Sequence, residues 1–150
     1  LGKALTPADI LPRHHGHEMK SVALLEGVCE RLRVPTDCRD VARLVARFHG
    51  DMHRVAELRP ETRLTVLERC DALRRPDRFE LILLACEADY RGRLGSEERD
   101  YAAASSWRWR WPRGPTAARA TAAAEAQADP QAIACAISAA RVDALRAMAK

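Results

Sequence analysis

No Cys-x-x-Cys pair occurs in the 150 residues, and the five cysteines, Cys29, Cys38, Cys70, Cys86 and Cys135, are scattered and odd in number. That pattern argues against a zinc knuckle and leaves the cysteines as reduced core thiols, as suits a cytoplasmic protein. Long apolar runs are missing too, so nothing in the sequence is fit to cross a bilayer. The first residues also lack the basic start, apolar stretch and small-residue cleavage site of a secretion signal. A soluble, cytoplasmic chain with no membrane partner is expected. Period-2 alternation is absent over any useful length, which excludes half-buried strands and leaves an all-α fold.

What is present is a composition 47% hydrophobic and 31% charged. Such a chain buries one real core and perhaps a smaller appended unit. The net charge of +4 comes mainly from arginine and gives a pI near 9.0. It is compatible with a phosphate-rich partner without requiring one. The sequence starts at Leu1 with neither an initiator methionine nor a polar preamble. It is therefore expected to be part of something longer.

Apolar spacing predicts a helix from about His17 to Arg33, carrying Val22, Leu25, Cys29 and Leu32, with Val34-Pro35 as its stop and Thr36 as the next cap. The following helix carries Val41, Leu44, Val45 and Phe48, and Gly50 is placed to end or bend it after His49. A shorter helix with Met52 and Val55 is expected before Arg59-Pro60. Helices after Pro60 (Leu64, Leu67, Cys70) and after Pro76 (Phe79, Ile82, Leu83, Cys86) complete a first domain, residues 1–95. From there to residue 150 an alanine-rich helical extension is expected. Its last helix is capped by Asp129, starts at Pro130 and buries Ile133, Ile137, Ala144, Leu145 and Met148.

Several side chains could carry chemistry. His14, His15 and His17 surround a glycine, and His49 and His53 stand four residues apart. Imidazole is the commonest metal ligand and also suits proton transfer. His14 and His15 taken alone read first as solvated surface, and His49, at the rim of its apolar face, reads either as a ligand or as a satisfied core histidine. Asp89 follows Cys86 and Ile82 on the apolar stripe of its helix, so it calls for a cation, either a metal ion or a buried arginine. The interleaved Trp107-Arg108-Trp109-Arg110-Trp111 could stack bases, or its tryptophans could cover a thin core while the arginines face water. A Gly-rich phosphate loop and a nucleophile elbow are both missing. So is the glycine-serine strand signature with paired carboxylates that nucleotidyl transfer needs, and polymerase chemistry is not expected in these residues.

Leu1-Gly2-Lys3, Thr6-Pro7-Ala8-Asp9-Ile10-Leu11-Pro12-Arg13-His14 and Gly16-His17-Glu18 closely resemble one segment of the proteobacterial CCA-adding tRNA nucleotidyltransferases, the segment directly after a His-Asp doublet. The resemblance continues through Cys29-Glu30-Arg31-Leu32-Arg33-Val34-Pro35, Cys38-Arg39-Asp40, Ala42-Arg43-Leu44-Val45-Ala46 and His49. It returns at Glu87-Ala88-Asp89, Arg91-Gly92-Arg93 and Asp100-Tyr101, and it ends after Tyr101. It implies a longer parent in which a polymerase uses CTP, ATP and magnesium to add C, C and A to tRNA. An HD-type helical bundle would follow, with phosphatase, 2'-nucleotidase and 2',3'-cyclic phosphodiesterase activity on phosphomonoesters or 2',3'-cyclic nucleotides, often with nickel. By the same resemblance His17 and His49 are catalytic, His17, His49 and Asp89 hold the metal, Lys3 and Arg13 contact phosphate, and the doublet stands just upstream of Leu1. A chain of this size alone is then expected to be inactive. Two rivals stay open: a stand-alone HD phosphohydrolase, and a non-catalytic helical module that grips tRNA.

Overall fold

The computed structural model describes residues 2–108 and 130–147. Among these residues there are six α-helices and no strand, so the all-helical expectation holds. In chain order they are α1 (His17–Leu32), α2 (Thr36–His53), α3 (Pro60–Arg69), α4 (Pro76–Arg91), α5 (Ala102–Trp107) and α6 (Pro130–Ala147). Short 3-10 turns precede α1 at Gly2–Leu5 and Ala8–Ile10, and another follows α2 at Val55–Glu57.

The boundaries follow local chemistry. Gly16, at φ 67°, turns the chain into α1, and Arg33, at φ 51°, ends it by donating its backbone N–H to the carbonyls of Cys29 and Glu30. Proline at the first position opens both α3 and α4, where a missing N–H costs nothing. Thr36, expected as a cap, is instead the first helical residue of α2, and Pro35 occupies the cap position. Gly50 does not end α2, which runs on to His53 and takes in Met52, while Val55 falls in the 3-10 turn. A mid-helix glycine lowers stability by only about 1 kcal/mol, and the packing of Phe48 and Met52 on either side outweighs that. His49 and His53 therefore share one unbroken helix.

α2 lies between α1 and α4. The core combines Phe48 and Met52 of α2, Leu64 and Leu67 of α3, and Phe79, Ile82, Leu83 and Cys86 of α4 with Tyr101, Trp107, Val142 and Leu145. This one cluster holds side chains from both sides of residue 95. Trp107 is 4% exposed; its indole N–H donates to the Met52 carbonyl at 3.0 Å, and its ring meets Phe79 edge-on. Arg108 turns to Glu80 at 2.8 Å. Trp107 thus covers the core, whereas Trp109 to Trp111, Asp129 and Met148 lie outside the described residues. On α6, Leu145 is buried as expected and Ile133, Ile137 and Ala144 are half-buried, but Val142, which the helical pattern did not single out, is buried too.

Three of the five cysteines are buried, Cys29, Cys70 and Cys86; Cys38 and Cys135 are exposed, against the expectation of five core thiols. Burial pushes the thiols of Cys70 and Cys86 up to about 12, which keeps them protonated and unreactive. Among the described residues no helix is long and apolar enough to cross a membrane.

Candidate active site

A cavity of about 820 Å³ opens between α1, α2 and α4. Its walls are largely apolar and include Leu25, Val41, Val45, Leu81 and Ala85. It runs along α2 from Cys38 to His49 and along α4 from Asp77 to Asp89, a length of roughly 17 Å at the helical rise per residue. Lys3, His17, His49 and Asp89 mark one end, and Asp37, Arg75 and Arg78 the other.

Lys3 reaches the cavity because the first turn is clamped onto α1. The Gly2 N–H donates to Ser21 Oγ at 2.9 Å in a buried contact, and a Cβ at Gly2 would come within 2.1 Å of the His17 carbonyl oxygen. Only glycine fits that approach. Arg13, the other expected phosphate contact, is exposed and is not among the residues that line the cavity.

The two histidines singled out from sequence meet across α1 and α2, with His17 Nε2 3.2 Å from His49 Nε2. The far nitrogen of each ring faces backbone: His17 Nδ1 lies 2.8 Å from the His14 carbonyl, and His49 Nδ1 lies 3.2 Å and 3.3 Å from those of Val45 and Ala46. Carbonyls only accept, so both Nδ1 atoms carry the hydrogen, and with both rings neutral the two Nε2 atoms oppose each other lone pair to lone pair. A cation between them resolves that opposition. Two imidazole nitrogens on one tetrahedral ion, each bound at the usual length, stand roughly 3.3 Å apart. The pair thus fits a metal ion. His14 is half-buried, with Nδ1 2.8 Å from the Thr6 hydroxyl, and His15 is exposed.

Asp89 is not the buried carboxylate that its helical position suggested. Its side chain is 49% exposed, and Oδ2 accepts from His53 Nε2 and from the Arg93 guanidinium, each at 3.0 Å. Of the two cations expected, the arginine is present, one turn on in sequence and at the surface rather than in the core. Burial raises the Asp89 pKa, but the hydrogen bonds from His53 and Arg93 outweigh it and hold the carboxyl below its ordinary value. His53 moves down, chiefly because burial disfavours its charged form. Among the described residues no three His, Cys, Asp or Glu side chains converge as a metal-holding group. His53 and Tyr101 do not line the cavity but stand behind Asp89, joined to it by hydrogen bonds, and the sequence does not mark them as site residues. The four-residue spacing of His49 and His53 is a visible signal; Tyr101, far off in sequence, gives none.

Both shifts act in the same direction on stability. The unfolded chain protonates His53 near 6.5 and Asp89 near 3.8, before the folded chain does, so each contribution is complete above those values and is lost as the pH falls below them. The melting temperature is expected to decline in an upper step below about pH 6.5, with a second step near the carboxylate range. In His53→Gln the upper step should vanish in thermal melts across pH. A variant melting profile identical to wild type would show that His53 does not titrate this way.

Fold and site together define a helical domain with a histidine pair at the polar end of an apolar cavity. No family model matches the chain, and no solved structure matches it. Over 101 residues it is 62% identical to the multifunctional CCA protein of Thioalkalivibrio sulfidiphilus, covering 67% of this chain and 25% of that one. The multifunctional CCA proteins of Ralstonia nicotianae and Paracidovorax citrulli are 61% and 62% identical over the same length, which is 24% of each. The chain is thus a relative of the multifunctional CCA proteins, in agreement with the resemblance read from its sequence, and spans about a quarter of their length.

Proposed function

We propose that this chain is the phosphohydrolase part of a multifunctional CCA protein, with residues 1–95 belonging to an HD-type helical domain and residues 96–150 to a helical extension. The observation that carries the reading is the opposed His17–His49 pair at one end of a deep apolar cavity. In this reading His17 and His49 hold a divalent ion, nickel or another, Asp89 contributes a carboxylate, and the remaining ligands come from a His-Asp doublet preceding Leu1. Bound there, the ion would act as a Lewis acid on a phosphoryl oxygen. Lys3 places a positive charge beside the phosphate, and the apolar walls receive the sugar and base of a 2',3'-cyclic nucleotide or phosphomonoester. Arg13 is not needed for this contact. CCA addition to tRNA from CTP and ATP, with magnesium, belongs to the rest of the protein, and cytoplasmic location follows from that role.

The lack of a complete three-ligand group among the described residues favours a second reading, a tRNA-gripping module with a vestigial site. Metal removal separates the two. Chelation of the full-length protein should abolish hydrolysis of 2',3'-cyclic AMP and nickel should restore it, with tRNA affinity unchanged throughout. Hydrolysis indifferent to chelation would overturn the metal assignment, and no hydrolysis at any stage would support the vestigial site.

A further inference from the structure

The middle of the cavity is apolar, and Ser21 is the one polar side chain among the described residues that line it between the histidine end and the end marked by Asp37, Arg75 and Arg78. Ser21 follows His17 by one turn of α1 and precedes Leu25 by another, so the three side chains form a single stripe facing the cavity. Its Oγ accepts the Gly2 N–H at 2.9 Å, and the residue is only 9% exposed. A hydroxyl has one hydrogen besides its lone pairs, and that hydrogen still needs an acceptor. Helical serines often give it to the carbonyl four residues back, as Ser106 does to Ala102 at 3.4 Å. Ser21 makes no such bond, and among the described residues its hydrogen has no acceptor. The apolar walls, Leu25 and Val45 included, offer no side-chain acceptor either. A buried donor left unpaired is costly, and a ligand oxygen entering the cavity removes that cost.

Position along α1 decides which ligand oxygen that is. Four residues of helix separate Ser21 from His17 by roughly 6 Å. In the proposed function, on which the inference rests, the phosphoryl group is held at the histidine end beside Lys3 and the nucleoside lies along the apolar walls. In a 2',3'-cyclic nucleotide the ribose is joined directly to the phosphoryl group and the base stands beyond it, so one helical turn reaches the sugar. We infer that Ser21 is a specificity-determining residue that donates its hydroxyl hydrogen to a ribose oxygen of the nucleotide. The Gly2 N–H occupies one side of Oγ and so restricts where the hydrogen can point. A single polar group placed in an apolar pocket orients what the walls merely hold. A phosphate ester without a sugar has no oxygen at that place and makes the phosphate contact alone.

Steady-state hydrolysis by the full-length protein tests it, with 2',3'-cyclic AMP, 2',3'-cyclic UMP and ethylene phosphate as substrates for wild type, Ser21→Ala and Ser21→Cys. Ethylene phosphate keeps the five-membered cyclic diester and lacks the sugar. Removing the hydroxyl also frees Gly2, and with it Lys3, which lowers activity on every substrate; the ratio of kcat/KM for a cyclic nucleotide to that for ethylene phosphate cancels this common loss. The ratio is expected to fall about 5- to 10-fold in Ser21→Ala, the worth of one hydrogen bond, and equally for the two bases. Ser21→Cys fills the same space with a weak donor and should show the same fall, so it reports even if the alanine variant folds poorly. An unchanged ratio in both variants would overturn the contact and leave Ser21 as the clamp on Gly2. A fall confined to one base would put the hydroxyl on the base and overturn the ribose assignment. Wild type that cleaves neither nucleotide would remove the proposed function, and this inference with it.

Discussion

His49→Ala in the full-length protein is expected to lower hydrolysis of 2',3'-cyclic nucleotides by about 100-fold or more, the upper end of what even an outer partner of a metal ligand costs. CCA addition should stay near wild type. His49 stands directly opposite His17 at 3.2 Å, so alanine removes one of the two lone pairs that face each other and leaves His17 alone. Fold stability should change little, because His49 is only half-buried and its Nδ1 bonds to carbonyls of its own helix, which also accept helical hydrogen bonds. The two activities are assayed on the same preparation, with tRNA lacking its terminal CCA and with 2',3'-cyclic AMP. A parallel loss of both would identify His49 as structural. Hydrolysis retained at wild-type level would place the chemistry elsewhere in the cavity.

Trp107→Ala is expected to cost about 3–5 kcal/mol, the range for emptying a buried large aromatic site. The indole is 4% exposed, meets Phe79 edge-on at 6.1 Å, lies under the Arg63 guanidinium at 5.7 Å, and donates to the Met52 carbonyl. Alanine therefore leaves a cavity and takes a partner from a buried oxygen. For a chain of this size the melting temperature should drop by roughly 10 °C or more. Trp107→Phe, which keeps most of the ring and loses the N–H, should cost about 1–2 kcal/mol. Urea unfolding of the 150-residue chain measures both. If Trp107 instead stacked on RNA bases, alanine would weaken tRNA binding and spare stability, the reverse of the expected outcome.

How far the site is legible in the sequence depends on whether its signal is local. Residue type, spacing and resemblance point to His17, His49 and Asp89; the folded chain joins the first two and gives Asp89 other company. The helical stripe identifies Asp89 correctly as a carboxylate in need of a cation, but a stripe cannot say how far a helix end protrudes. Asp89 sits in the last turn of α4, where the helix leaves the core, and so its side chain is half-exposed and within reach of Arg93. Gly50 misleads for a related reason: glycine permits a helix end but does not impose one when Phe48 and Met52 on both sides are buried. Lys3 and Arg13 look alike in sequence. They are separated by the close approach of Gly2 to α1, which places Lys3 at the cavity and is visible only once two segments are packed together.

The sequence by itself determined the all-helical class, the starts of α1, α3 and α4, and the kinship with multifunctional CCA proteins. These depend on apolar periodicity, on proline and glycine, and on residue identities in runs, which are properties of neighbours along the chain. Only the tertiary structure decided that His17 and His49 face each other, that the Tyr101 hydroxyl meets His53 from 48 residues away, and that Trp107, Val142 and Leu145 share a core with α2 and α4. Those contacts arise where helices cross. Crossings are settled by how side-chain volumes fit when the whole core closes, and no local pattern encodes that fit.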